Sequence, residues 1–118
     1  MYSIQVEAYF SSAHNLRGYK GKCEALHGHN WKVQITVAKR KPDASGLVMD
    51  FRELKAKLHA VLDKLDHAYL NDIAYFKKHN PTSENIACYI YTMLKKDIAH
   101  LASVTVWESE NSAATYSL

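Results

Sequence analysis

Cysteine is scarce: Cys23 and Cys88 are the two present in 118 residues. Two are too few for the disulfide framework of a small secreted domain, and Cys88 falls in a segment with helical spacing rather than in a bridged loop. Both are expected as thiols. No run approaches the ~20 apolar residues that span a bilayer, so no membrane segment is expected. Met1 leads straight into an alternating segment without the basic start and apolar run of a signal peptide, which points to the cytoplasm. Charge of one sign does not accumulate either. The 15 basic and 12 acidic residues, a formal +3, are spread along the chain, so nucleic acid and membrane surfaces are not expected partners. A small anionic substrate remains compatible.

What the chain does have is 47% hydrophobic residues, enough for the core of one domain over residues 1–118. Apolar residues at 2, 4, 6, 8 and 10 alternate with Ser3, Gln5 and Glu7, the period of a half-buried strand running toward His14. Asn15 to Glu24, with Gly18, Gly21, Arg17, Lys20 and Lys22, breaks the pattern and reads as a basic loop. Alternation resumes with Trp31, Val33, Ile35 and Val37 and stops at Lys41-Pro42-Asp43. Asp50 can cap a helix with apolar positions Phe51, Leu54, Leu58, Val61, Leu62 and Leu65. Asp66 to His79 is a connection with at most short structure. Thr82 then caps a second helix reaching about His100, with Glu84 in its first turn. Val104 and Val106 begin a strand, and Glu108 to Ser112 turns the chain into a last one through Tyr116. The order ββααββ predicts an α+β fold, a four-stranded antiparallel sheet with two helices on one face. Its two open edges predict an oligomer.

His27-Gly28-His29 opens a strand, where side chains at i and i+2 share a face, so the two imidazoles can chelate. His14 ends the preceding strand and comes alongside if the two pair as a wide hairpin. Three histidines with one open position describe a catalytic zinc site rather than a closed structural one. The plain alternative is a pair of ordinary polar residues at a strand end. The neighbours favour the metal: Gly28 leaves the opposite face clear, and Cys23 lies four residues upstream of His27. His59, His79 and His100 have no such company.

Cys23-x-x-x-His27-Gly28-His29-Asn30, with His14 upstream, resembles the 6-pyruvoyltetrahydropterin synthase and 6-carboxytetrahydropterin synthase superfamily. So do Gly46-Leu-Val-Met-Asp50-Phe51-x-x-Leu54-Lys55, Leu65-Asp66-His67-x-x-Leu70-Asn71, Asn80-Pro81-Thr82-x-Glu84-Asn85, and Glu108 followed by Tyr116. The resemblance covers nearly the whole chain, with the motifs in order. It implies the tunnelling fold, in which subunits join sheets into a barrel, commonly a homohexamer of two stacked trimers. It also implies 7,8-dihydroneopterin triphosphate as substrate, bound where subunits meet. His14, His27 and His29 would then hold Zn2+, Cys23 would be the proton-abstracting base, Asp66 with His67 its relay, and Glu108 the anchor of the pterin ring.

That chemistry suits the residue types. Zinc polarises substrate hydroxyls as a Lewis acid, and a cationic metal with His67 nearby would lower the pKa of the Cys23 thiol. Glu108 shares strand parity with Val104 and Val106, where a carboxylate suits bidentate recognition of a pterin amino group and ring N–H. Arg17, Lys20 and Lys22 are phosphate contacts or a solvated loop, and Lys32 is a further possibility.

One branch of the superfamily eliminates triphosphate to give a pyruvoyl product. Another also cleaves a carbon–carbon bond, releasing acetaldehyde and leaving 6-carboxy-5,6,7,8-tetrahydropterin. The Cys-Glu-x-x-His-Gly-His form looks more like the bacterial lyases of queuosine biosynthesis. A third branch uses a glutamate three residues before the first histidine of the pair, the spacing of Glu24, which therefore competes with Cys23. Ser109 stands where the family usually shows threonine after the anchoring glutamate, retaining the hydroxyl. Outside this enzyme class, a non-catalytic zinc- or pterin-binding protein and a three-histidine zinc hydrolase remain open.

Overall fold

The computed structural model describes residues 1–18 and 25–118. Two long strands dominate, β1 (Tyr2–His14) and β2 (His27–Lys39), paired antiparallel without a break from Tyr2↔Lys39 to His14↔His27. There follow α1 (Phe51–Leu62), a two-residue β3 (Ala68–Tyr69), a 3-10 turn at Leu70–Asp72, α2 (Ala74–Lys78), α3 (Ser83–Lys95), β4 (Leu101–Ser109) and β5 (Ser112–Tyr116). The sheet order is β3-β1-β2-β4-β5.

Strand alternation sorts the two faces. Val6, Ala8, Phe10, Trp31, Val33, Ile35, Val37, Val104 and Val106 are buried in one cluster with the apolar stripes of the helices. Glu7 and Tyr9, with odd parity, are exposed on the other face. Helix α1 starts because the Asp50 carboxylate accepts the Arg52 N–H, and it buries Leu54, Leu58, Val61 and Leu62 at helical spacing. Thr82 caps α3 by accepting from the Asn85 N–H, and Ile86, Ala87, Ile90, Tyr91 and Leu94 face the sheet core. Each such fully buried aliphatic side chain contributes about 1.5–3 kcal/mol relative to exposure.

Three features depart from the sequence expectation. The sheet has five strands among the described residues, not four, and is not wholly antiparallel, because β3 lies parallel to the end of β1 through Ser12↔Ala68 and Ala13↔Tyr69. Two residues carry no alternation, so such a strand has no periodic signature. The five-residue α2 adds a third helix, and α3 stops at Lys95, where the chain turns so that the Ile98 N–H donates to the Leu94 carbonyl. Ile98 keeps the helical spacing and is buried, which is why the pattern extended past the helix end. Phe51 is 52% exposed although it sits at an apolar helical position, while Leu65 is fully buried beyond the end of α1. Among the described residues, no helix is long and apolar enough to cross a membrane.

Candidate active site

The β1–β2 register sets His14 directly opposite His27, and His29 lies two residues on along β2, so all three imidazoles emerge from the core face at one end of the sheet. The wide hairpin expected from the sequence therefore forms. Trp31 is the floor beneath them, fully buried, with its ring edge-on to His14 at 4.9 Å and to His29 at 5.0 Å, and stacked on Phe10 at 5.9 Å. Gly28 is exposed, and a Cβ there would meet nothing nearer than the Ser12 carbonyl at 3.9 Å, so packing does not demand the glycine.

The outer ring nitrogens of His14 and His27 have fixed partners. His14 Nδ1–H donates to the Pro81 carbonyl at 2.7 Å, and His27 Nδ1–H donates to the Ala25 carbonyl at 2.7 Å. In neutral imidazole this tautomer leaves a lone pair on each Nε2. Those two Nε2 atoms nevertheless face each other at 3.1 Å, and His29 Nε2 is sealed from solvent without a hydrogen bond. Facing lone pairs repel unless a cation lies between them, so the donor set fits a metal ion, and three imidazoles, two of them with backbone-fixed tautomers, fit zinc. Burial lowers the pKa of His14 against the opposing pull of the Pro81 hydrogen bond. Burial likewise lowers that of His29 against the opposing charge of Glu108. Both effects favour the neutral, ligating form.

Glu108 continues the parity of Val104 and Val106 at the end of β4 and joins the cluster. Its Oε1 lies 3.0 Å from His29 Nε2, 3.6 Å from His14 Nε2 and 3.9 Å from His27 Nε2. One ligand atom from each of His14, His27, His29 and Glu108 falls within 4.8 Å of the others. Sequence reasoning placed Glu108 on the right face and gave it a catalytic and pterin-anchoring role rather than a place among the metal ligands, since strand parity does not reveal how close two strand ends come.

Asp66 and His67 form a separate pair. Adjacent side chains in extended backbone diverge, but His67 has φ 53°, and this left-handed turn brings its Nδ1 to 3.1 Å from Asp66 Oδ2. The other carboxylate oxygen of Asp66 accepts the Ser11 N–H at 2.8 Å, the main reason its pKa falls below the ordinary carboxylate value, with His67 adding to the effect. The His67 side chain is 84% exposed, and neither residue belongs to the histidine–Glu108 group.

Two asparagines went unassigned in the sequence. Asn71 accepts the Asn15 N–H at 3.0 Å and donates to the Asn15 carbonyl at 2.8 Å. Asn80 does the same for Arg17, at 2.9 and 3.0 Å. Each amide acts as one rung of a ladder and holds the chain just past His14. The Arg17 guanidinium donates to the Phe76 carbonyl. Lys32 lies over the Trp107 ring at 4.7 Å and 3.9 Å from Glu7. Lys20, Lys22, Cys23 and Glu24 lie outside the described residues.

Comparison with known proteins agrees with this architecture. Residues 3–118 match the family described as 6-pyruvoyl tetrahydropterin synthase. A 6-carboxy-5,6,7,8-tetrahydropterin synthase of Synechocystis is 41% identical, over 98% of this chain and 93% of that protein. The human 6-pyruvoyl tetrahydrobiopterin synthase is 37% identical, over 92% and 78%. The solved structure of Caenorhabditis elegans 6-pyruvoyl tetrahydropterin synthase superposes with a TM-score of 0.90 at 31% identity, covering 99% of this chain and 95% of that one. With the fold, the match and the relatives in agreement, this chain belongs to the 6-pyruvoyl tetrahydropterin synthase family.

Proposed function

We propose that the protein is a zinc-dependent lyase that converts 7,8-dihydroneopterin triphosphate to 6-carboxy-5,6,7,8-tetrahydropterin, with release of acetaldehyde and triphosphate, as in queuosine biosynthesis. The observation that carries the reading is the convergence of the His14, His27 and His29 side chains with Glu108, the outer nitrogens of His14 and His27 being tied to backbone carbonyls. A zinc ion held there supplies Lewis-acid polarisation of the substrate's side-chain hydroxyls. The remaining work belongs to the chain. Cys23, as thiolate, takes the proton from the neighbouring carbon. Asp66, held by the Ser11 N–H, orients His67 through its Nδ1, so that His67 exchanges protons through its other ring nitrogen. In this reading the relay meets the site of a neighbouring subunit in a homohexamer of two trimers, which the exposure of the His67 side chain supports. Glu108 recognises the pterin ring, and Arg17, Lys20 and Lys22 supply positive charge for the triphosphate.

The choice of the carboxy product is supported by the names of relatives at 41% and 38% identity. Incubation of the zinc-loaded protein with dihydroneopterin triphosphate, followed by mass spectrometry, tests it. Acetaldehyde with a carboxypterin is the expected result. A pyruvoyl product would move the protein to the other branch, which the human relative's name represents.

A further inference from the structure

Glu108 stands closer to the metal-binding nitrogens than recognition of a ligand ring requires. For a four-coordinate ion with bonds of about 2.0–2.1 Å, ligand atoms are separated by about 3.3 Å. The His14–His27 nitrogen separation is 3.1 Å, and the Glu108 Oε1 distances to the three histidines are 3.0, 3.6 and 3.9 Å. These four lengths lie on either side of that separation, and all four ligand atoms fall within 4.8 Å of one another. Oε1 comes nearest to His29 Nε2, a nitrogen sealed from solvent, so the carboxylate reaches into the cluster itself.

The strand is irregular where it carries this side chain. β4 and β5 pair in register from Val104↔Tyr116 to Trp107↔Ala113, and then slip before Ser109↔Ser112. Glu108 is the residue in the slip, and a bulge of this kind re-aims a side chain at a strand end. Its side chain is 34% exposed, so rotation away from the histidines does not require the core to open.

We propose that Glu108 is an exchangeable fourth metal ligand, which closes the three-histidine site in the resting protein and leaves it when substrate arrives. The inference rests on the zinc reading above and deepens it. A closed four-ligand site is the structural type and an open one the catalytic type, and a ligand that leaves converts the first into the second. The same carboxylate is then free to take the pterin, so that opening the site and recognising the substrate are one event.

Cobalt(II) loaded into the full-length apoprotein tests this without turnover. Wild type, Glu108→Gln and Glu108→Ala are compared by visible absorption, by metal affinity in chelator competition, and by titration with thiocyanate as a probe of an open coordination place. Circular dichroism confirms folding, and Glu108→Asp serves as a variant that keeps the charge. Both neutral variants are expected to change the cobalt spectrum and weaken metal binding on the order of 10–100-fold, the range found when groups around a metal site are lost. They should also bind thiocyanate at least tenfold more tightly than wild type. Identical spectra, affinities and thiocyanate titrations in wild type and folded variants would overturn the proposal. A failure of the reaction assignment is separate: the wrong product from dihydroneopterin triphosphate leaves these metal readouts unchanged.

Discussion

The Nδ1–H of His14 donates to the Pro81 carbonyl at 2.7 Å, tying the ligand-bearing end of β1 to the residues that start α3. The bond fixes the tautomer that leaves Nε2 for a metal. The segment around Pro81 is held in turn, because Asn85 Nδ2 donates to the Asn80 carbonyl at 2.8 Å. His14→Ala is expected to abolish metal retention through gel filtration, whereas His59→Ala, at an exposed position of α1, retains it. Asn85→Ala should weaken metal binding on the order of 10-fold by loosening the acceptor rather than removing a ligand. Elemental analysis and chelator competition read both effects, and full retention in His14→Ala would remove it from the ligand set.

The amide rungs of Asn71 and Asn80 predict a graded loss of stability. Asn71→Ala leaves the partly buried N–H and carbonyl of Asn15 without their partner and is expected to cost about 1–2 kcal/mol. Asn80→Ala removes bonds that are exposed, and water replaces them, so about 1 kcal/mol or less is expected. Asn71→Asp keeps the acceptor and loses the donor, and should fall between wild type and Asn71→Ala. Urea denaturation measures the order.

Why these asparagines carried no periodic signal while the histidines did is a matter of range. His27 and His29 share a face by strand parity alone, and His14 follows once β1 and β2 pair, so the metal cluster was legible from period-2 arithmetic. The long strands and the capped helices α1 and α3 were legible for the same reason, having enough residues to show a period. Asn71 and Asn80 act on Asn15 and Arg17 across more than fifty residues of chain, through side-chain amides that obey no period. The turn at His67 depends on a positive φ at a residue that is not glycine, and β3 is two residues long. Glu108 illustrates the boundary: parity gave its face, while its approach to His29 depends on two strand ends meeting.

Trp31 couples the core to the cluster. It is fully buried and touches the rings of Phe10, His14 and His29. Trp31→Ala should destabilise the fold by about 3–5 kcal/mol through lost burial and the cavity left behind, and should weaken metal binding as His14 and His29 lose their floor. Trp31→Phe keeps an aromatic surface and is expected to cost less. Thermal unfolding of the apo and loaded forms separates the two effects, since a change confined to the loaded form would place the tryptophan in ligand positioning alone.

Asp66 predicts an acid-side effect. Its folded pKa lies below the ordinary carboxylate value, first because of the Ser11 N–H and further through His67. A depressed carboxylate contributes stability that is present above the unfolded pKa and is lost as pH falls through the folded one. Wild type should therefore lose thermal stability more steeply than Asp66→Asn as pH falls below about 4. At neutral pH Asp66→Asn keeps an acceptor for Ser11 and should be only slightly less stable, while Asp66→Ala should be less stable than either. Parallel curves for wild type and Asp66→Asn in acid would remove the carboxylate charge from the account.

Two neighbouring residues compete for the role of base, and their chemistry separates them. Cys23 requires a lowered thiol pKa to act near neutrality, whereas a carboxylate at Glu24 is ionised there without help. If Cys23 takes the proton, Cys23→Ala should reduce kcat by about 10²–10⁴-fold, the usual contribution of a positioned base. Metal content and folding should persist, and Glu24→Gln should stay within a few-fold of wild type. The rate of the native enzyme should then rise along the alkylation curve of the thiol, read with iodoacetamide over the same pH range. The reverse pattern, a collapse in Glu24→Gln with Cys23→Ala active, would assign the proton transfer to the carboxylate. Turnover absent in the wild type, with pterin still bound, would point instead to a binding protein that uses the same cluster without catalysis.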